Sequence, residues 1–220
     1  MNTLRTSLLV LQGVAAFAPT KHVATRRIGG ISRLFAATTS STRSYSATPV
    51  AAKTATHPEL VQWMNDQVTR ELMASQTYLS ASLWMEQNEL VGMARYMRHE
   101  SHEERTHALG FLDFCNKRDI PITLQALEAP KNSWASVEQV WHDLLEAEEE
   151  NTQALLQFAS AAQKCEDHAI AAFLQPFHLE QVESEDHLGT IVAKVRDEQK
   201  TPGLLRQLDG ELGDESGKIE

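Results

Sequence analysis

Four residues of the sequence combine ligand chemistry with positions at which burial is expected: Glu71, Glu104, His107 and Glu148. Each lies in the middle of a helical apolar repeat, where a carboxylate is costly unless it is paired, protonated or bound to a metal. None of these repeats contains a Lys or Arg that could neutralise the carboxylates. Glu104 and His107 are three residues apart, so they share one helix face. Carboxylate oxygens with a single imidazole suit iron or manganese better than a thiolate-preferring metal, and the four residues predict such a site.

Four long helices must bring these residues together. Stretches rich in Ala, Leu, Glu, Gln and Met, with few β-branched runs, are typical of helices. The predicted helices cover residues 58–87, 90–118, 135–163 and 167–197. The two prolines of residues 119–134 make that segment a long crossover, and the leucines after Pro202 predict a short fifth helix. The predicted fold class is therefore all-α, a four-helix bundle with one long crossover.

The inward-facing seam of each predicted helix, taken at heptad spacing, is apolar at both ends and polar in the middle. In the first helix, Leu60 and Met85 lie at the ends of the seam, and Gln67 and Glu71 lie near its centre. Because all four breaks fall near mid-helix, they are expected to form one layer of the bundle. A single Glu is more often a solvated surface residue, but the joint placement favours a metal site. One alternative stays open, a structural or regulatory protein whose polar layer holds a static ion or a hydrogen-bond network.

The charge distribution points to a cation as the partner. The net charge of the chain is -10, yet residues 1–58 contain seven Lys and Arg and no Asp or Glu, so all 30 acidic residues follow them. A body this acidic excludes a general nucleic-acid binder, which needs a basic surface. No segment is apolar for 18 residues, so we expect no membrane span. Two distant cysteines, Cys115 and Cys165, support neither a disulfide framework nor a Cys-based zinc site.

The first 56 residues are predicted to be a presequence that is removed, leaving a single domain over residues 57–220. Arg5 precedes an apolar run over residues 8–18, the length of a signal-peptide core. A segment rich in Ser, Thr, Ala and Arg then follows, as in organelle transit peptides. The order resembles the two-part plastid-targeting presequence of algae with complex plastids, whose Ala-Phe-Ala-Pro core matches residues 16–19. This resemblance implies a location in the chloroplast stroma.

The segments around the four ligand candidates resemble the ferritin family from about Gln62 to about Leu208. They are N-D-Q-V-T-R-E-L-M-A-S-Q-T-Y from Asn65, H-E-S-H-E-E-R-T-H-A from His99, E-E-N-T-Q-A-L-L after Glu148 and F-H-L-E-Q-V from Phe177. The resemblance implies a ferritin-like bundle. It also implies the catalytic kind of ferritin, because every ferroxidase ligand of the family is present.

By that resemblance, Glu71, Glu104 and His107 bind a first iron. Glu104 bridges to a second iron, which Glu148 holds with Gln181 beside it. The implied function is iron storage and detoxification: O2 oxidises Fe(II) to Fe(III), which is deposited as mineral inside a closed shell of 24 identical subunits. Iron is then both the substrate and the occupant of the diiron centre.

Tyr78 lies where the family keeps a tyrosine beside the diiron centre, as an electron donor or hydrogen-bond partner. A plain core aromatic is an equally supported interpretation of Tyr78. A third iron site is also implied by resemblance to bacterial and some algal ferritins. Its carboxylates would be Glu100, Glu103, Glu180 and Glu183.

Departures from the family pattern sharpen these expectations. Diiron proteins with a permanent cofactor carry a second Glu-x-x-His on the fourth helix, where this chain has Gln181 and Ser184. The neutral pair disfavours a fixed-cofactor diiron oxidase and favours iron as a transient substrate. Ser184 also replaces a common ligand of the third site. At the positions of the acidic channel residues of animal ferritins the chain has Ala171 and Leu174, so the usual iron route is not carried over.

Overall fold

A computed structural model describes residues 55–198 and 203–216. Of the predicted presequence, only the last two residues fall within this part. The described residues form helices and no strand: α1 Pro58–Gln87, α2 Val91–Arg118, α3 Val137–Lys164, α4 His168–Glu198 and α5 Leu204–Ser216. The all-α four-helix bundle with a short fifth helix is confirmed, and the predicted ends of the four long helices lie within two residues of the observed ones. No described helix is apolar over enough length to cross a membrane.

The helix starts follow the capping chemistry of the sequence. Pro58 occupies the first turn of α1, where a missing N–H costs nothing. The Ser136 hydroxyl accepts a hydrogen bond from the Gln139 amide at 3.1 Å, at the start of α3. At the start of α4 the Asp167 carboxylate accepts one from the Ile170 amide, also at 3.1 Å. These caps fix where the long helices begin and therefore which residues reach mid-helix.

The core consists of two apolar clusters separated by a polar layer. One cluster contains Tyr78, Met97, Leu144 and Leu188, among others, and the second contains residues such as Phe111 and Phe158. Between them, all four long helices bury polar side chains. The buried polar residues in this layer are Gln67, Glu71, Ser101, Glu104, Glu148, Asn151 and Gln181. The predicted apolar–polar–apolar seams are thus present, and their breaks meet in one layer.

The short helix α5 packs against the start of α2. The Asp209 carboxylate accepts a hydrogen bond from the Met93 amide at 2.8 Å and satisfies an N–H that no side chain of α2 caps. Leu208 and Leu212 are buried in the same contact. A Cβ at Gly92 would lie 1.7 Å from the Asp209 carbonyl oxygen, so the helices approach this closely only because residue 92 is glycine. The fifth helix therefore closes one end of the bundle.

Candidate metal centre

The polar layer brings together ligand candidates from three helices. Glu71 lies on α1, Glu104 and His107 on α2, and Glu148 on α3. The three carboxylates are buried, with exposed fractions of 1%, 6% and 4% in that order, and the His107 side chain is 19% exposed. No Lys or Arg is among the buried polar residues of the described part of the chain. A cation from outside is the direct way to balance this charge.

Glu71, Glu104 and His107 form the tighter part of the layer, here called the Glu–Glu–His group. Their ligand atoms all lie within 4.8 Å of one another. His107 Nδ1 lies 3.6 Å from Glu104 Oε2. Glu71 Oε2 and Glu104 Oε2 are buried and have no hydrogen-bond partner in the structure. Buried carboxylate oxygens are rarely left in this state, and a metal ion among the three residues would satisfy both.

The pKa values in the Glu–Glu–His group also indicate that a cation would be bound favourably there. Burial raises the pKa of Glu71 well above its usual value, and the nearby Glu104 carboxylate raises it further. Burial alone would lower the pKa of His107, but the close, negatively charged carboxylates of Glu104 and Glu180 outweigh it and raise the pKa to about 11. Without a metal, the group thus retains protons that a metal ion would displace.

Glu180 orients the imidazole from outside the group. Its carboxylate lies 2.9 Å from His107 Nε2, the nitrogen remote from Glu104. Metal-binding histidines commonly donate their second ring N–H to a carboxylate, which fixes the tautomer and the ring direction. The contact leaves Nδ1 directed toward Glu104 as the candidate ligand atom. Glu180, predicted as a third-site ligand, therefore has a second role that spacing alone did not reveal.

Gln67 and Asn151 support Glu71 from α1 and α3. Gln67 Nε2 donates to Glu71 Oε1 at 2.7 Å and to Asn151 Oδ1 at 2.8 Å. Both residues occupy seam positions, and neither was predicted to have a role at the site. Their polarity in an apolar seam was the available signal.

Tyr78, Glu148 and Gln181 form the other part of the layer, here called the Tyr–Glu–Gln group. The Tyr78 hydroxyl donates to Glu148 Oε1 at 2.6 Å, and Gln181 Nε2 donates to Glu148 Oε2 at 3.1 Å. Burial and the Glu104 charge raise the pKa of Glu148 to about 7, although these two hydrogen bonds lower it. Burial and the Glu148 charge raise the pKa of Tyr78 well above its usual value, so the phenol keeps its proton. The ring of Tyr78 also packs in the core, so this residue is both a hydrogen-bond donor to Glu148 and a core aromatic, and its role as an electron donor stays a prediction.

The four third-site carboxylates do not gather as the Glu–Glu–His group does. Glu180 contacts His107, Glu103 lies 3.7 Å from His99, and Glu183 is exposed. Burial raises the pKa of Glu100 to about 7, and a hydrogen bond with Tyr96 opposes the shift.

Two further sets of residues have ligand atoms within 4.8 Å of one another, and most of their members are exposed. They are His57, Glu59 and Cys165, and His142, Asp143 and Glu146. Among the groups of the described chain that could hold a metal, only the Glu–Glu–His group is drawn mainly from buried residues.

Ala171 and Leu174, which stand where animal ferritins have acidic channel residues, lie within the bundle. Leu174 is fully buried in the second cluster, and Ala171 is partly buried against it. Neither offers a carboxylate to a passing cation.

Known proteins are similar to this chain in both fold and sequence. The Ferritin-like domain family matches residues 61–197. The crystal structure of apo-ferritin from Pseudo-nitzschia multiseries is 57% identical with a TM-score of 0.68, and the alignment covers 70% of this chain and 98% of that one. The same values apply to a Glu-to-Gln variant of the protein PmFTN that was soaked in iron. A bacterial non-heme ferritin of Staphylococcus saprophyticus is 30% identical over 127 residues, which are 58% of this chain and 76% of that protein.

Proposed function

The chain belongs to the ferritin family of iron-storage proteins, and we propose that it is a ferroxidase that oxidises Fe(II) to Fe(III) with O2 inside each subunit. The observation that carries the proposal is the Glu–Glu–His group, in which two buried carboxylate oxygens lack a hydrogen-bond partner beside an oriented imidazole. Such a set favours a transition metal with mixed oxygen and nitrogen ligands. The iron-soaked PmFTN variant, 57% identical to this chain, supports iron as the metal.

We propose that two Fe(II) ions bind in sequence. The first binds to Glu71, Glu104 and His107, which lose their retained protons as it enters. The second binds between Glu104 and Glu148, and Tyr78 and Gln181 hold the Glu148 carboxylate in place. Each of the two Fe(II) gives one electron to O2, which takes up two protons and leaves as H2O2, and the two Fe(III) leave for mineral growth. Release is favoured because the fourth helix supplies an amide at Gln181 and a hydroxyl at Ser184 rather than another Glu and His.

The proposal extends to assembly and location. Membership in the family supports an oligomeric shell, for which we propose 24 copies enclosing the mineral. We propose a plastid location from the composition of residues 1–56, nearly all of which lie outside the described part. We keep Glu100, Glu103, Glu180 and Glu183 as candidates for a third iron site.

The direct test is aerobic oxidation of Fe(II), followed by stopped-flow absorbance, in the Glu71→Ala and His107→Ala variants. We expect both to lose rapid oxidation while the particle size in light scattering stays unchanged. His102→Ala is the matched control, because this exposed histidine lies on the same helix as His107. Undiminished oxidation in both variants would refute the site. A small oligomer that binds iron without turnover would instead support the static-ion alternative.

A further inference from the structure

The amide of Gln181 belongs to a hydrogen-bond chain that continues beyond the candidate metal centre. Its Nε2 lies 3.1 Å from Glu148 Oε2, from the Glu148 carbonyl oxygen and from Thr152 Oγ1. Thr152 Oγ1 in turn lies 2.5 Å from Glu185 Oε1. Glu148 and Thr152 are one turn apart on α3, and so are Gln181 and Glu185 on α4. The four residues therefore form a ladder between two helices, with its inner end in the polar layer.

The chemistry of the outer end sets the direction of every bond in the ladder. An ionised carboxylate only accepts hydrogen bonds, and a hydroxyl has one proton to donate. Thr152 therefore gives its proton to Glu185 and offers a lone pair toward Gln181. Gln181 must fill that lone pair with an N–H, so its nitrogen faces α3 and its second N–H is available to Glu148.

We infer that Glu185 and Thr152 are positioning residues that lock the Gln181 amide as a donor to Glu148 and so orient this carboxylate for the second iron. The inference rests on the proposed ferroxidase function and deepens it. Gln181 then acts on the second iron through Glu148, since an amide N–H does not coordinate a cation. Tyr78 holds one oxygen of Glu148 and the ladder holds the other, so the carboxylate is fixed before iron arrives.

Loss of the ladder should affect only one of the two iron-binding steps. If Glu185 is removed, the Thr152 hydroxyl can turn its proton toward Gln181, and the amide is free to flip. Glu148 then loses a donor, whereas Glu71, Glu104 and His107 keep all their contacts. Loss of such a supporting partner typically costs 10- to 100-fold in metal affinity. A purely structural bond between α3 and α4 would show no such selectivity.

The test is anaerobic calorimetric titration of the assembled protein with Fe(II). We expect Glu185→Ala and Thr152→Val to weaken the second binding step by about tenfold and to leave the first unchanged. Glu185→Gln should behave like the wild type, because its carbonyl oxygen still accepts the Thr152 proton. Asp186→Ala is the charge control, since this neighbouring acid is exposed. In aerobic assays, the same two ladder variants should need more Fe(II) for half-maximal oxidation, with little change in the maximal rate.

Several results would overturn the inference. The first is an unchanged second step in both Glu185→Ala and Thr152→Val. A second is an equal loss in Glu185→Gln and Glu185→Ala, which would assign the effect to charge. Equal weakening of both steps, or an Asp186→Ala loss that matches that of Glu185→Ala, would also contradict it. Each of these leaves the proposed function intact, whereas a wild-type protein that binds a single Fe(II) and does not oxidise it would refute both.

Discussion

The polar layer has two halves, the Glu–Glu–His group and the Tyr–Glu–Gln group, and their buried carboxylates are stabilised in different ways. In the Glu–Glu–His group, two carboxylate oxygens have no hydrogen-bond partner, and two acids lie beside one imidazole. In the Tyr–Glu–Gln group, each oxygen of the single carboxylate accepts a hydrogen bond from a neutral donor. One half therefore has carboxylate oxygens that a cation would satisfy, and the other half is satisfied without one.

This difference assigns the halves distinct roles in the proposed reaction. A site with buried carboxylate oxygens that lack a hydrogen bond gains most from a metal, because binding satisfies these oxygens and relieves the repulsion between the two acids. A carboxylate already held by two donors gains less, so a metal there is more easily released. We therefore expect a strong first iron and a weak second one. Such an order suits a protein in which iron is substrate rather than permanent cofactor.

The largest expected effect comes from removing one charge from each half in turn. Glu71→Gln should weaken the first Fe(II) by at least about 100-fold, because breaking a buried ion pair costs about 3–5 kcal/mol. Glu148→Gln should leave the first affinity unchanged and weaken only the second. Anaerobic Fe(II) calorimetry on both variants measures the two steps. Equal losses of the first iron in the two variants would mean that the halves do not differ.

Composition and the heptad pattern of the sequence were sufficient to predict the fold and the polar layer. Composition predicted the four long helices to within two residues, and the heptad pattern placed Glu71, Glu104, Glu148 and Gln181 in the seams, where the structure buries them. Apolar and polar residues at fixed spacing determine which helix face turns inward, and this argument needs no knowledge of side-chain rotamers.

The contacts that separate the two halves could not be predicted in this way. Helical spacing does not say which oxygen of Glu148 meets Tyr78, nor that Glu180 meets the outer nitrogen of His107. Thr152 and Glu185 lie off the seams, so the heptad pattern does not identify them. The sequence signal for these two residues is their spacing alone: Thr152 lies four residues after Glu148, and Glu185 lies four residues after Gln181. Such contacts depend on rotamers and on how far apart the helices pack, which spacing does not specify.

The next effect concerns the metal-free protein and its dependence on pH. A carboxyl whose pKa is raised on folding binds more protons in the folded state, so its contribution to stability falls as pH rises. For Glu148, the pKa rises from 4.5 to about 7 on folding. Its contribution to the free energy of unfolding is therefore lost between pH 4.5 and about pH 7, and that contribution is at most about 3 kcal/mol. The raised pKa of Glu71 acts in the same direction. The pKa of His107 rises from 6.5 to about 11, so the stability of the metal-free protein continues to fall above pH 6.5.

Neutral variants of the metal-free protein should therefore gain stability at high pH. We expect Glu71→Gln and Glu148→Gln to raise the melting temperature in EDTA at pH 8 but not at pH 4.5. The gain should be larger for Glu71, whose group contains the carboxylate oxygens without a hydrogen bond. Glu149→Gln, at an exposed neighbouring position, controls for net charge. A gain for Glu148→Gln that exceeds that for Glu71→Gln would reverse the order of the two halves.

The smallest effect should come from Tyr78→Phe, which keeps the ring in the core and removes only its hydroxyl. The hydroxyl donates to Glu148 Oε1, and hydrogen bonds to charged groups contribute about 1.5–3 kcal/mol. Gln181 still holds the other oxygen of Glu148, so we expect the lower value, about a tenfold weaker second Fe(II) with the first unchanged. Tyr96→Phe is the matched control, because Tyr96 interacts with Glu100, outside both groups. An unchanged second step in Tyr78→Phe would leave Tyr78 as a core aromatic alone and Glu148 dependent on Gln181.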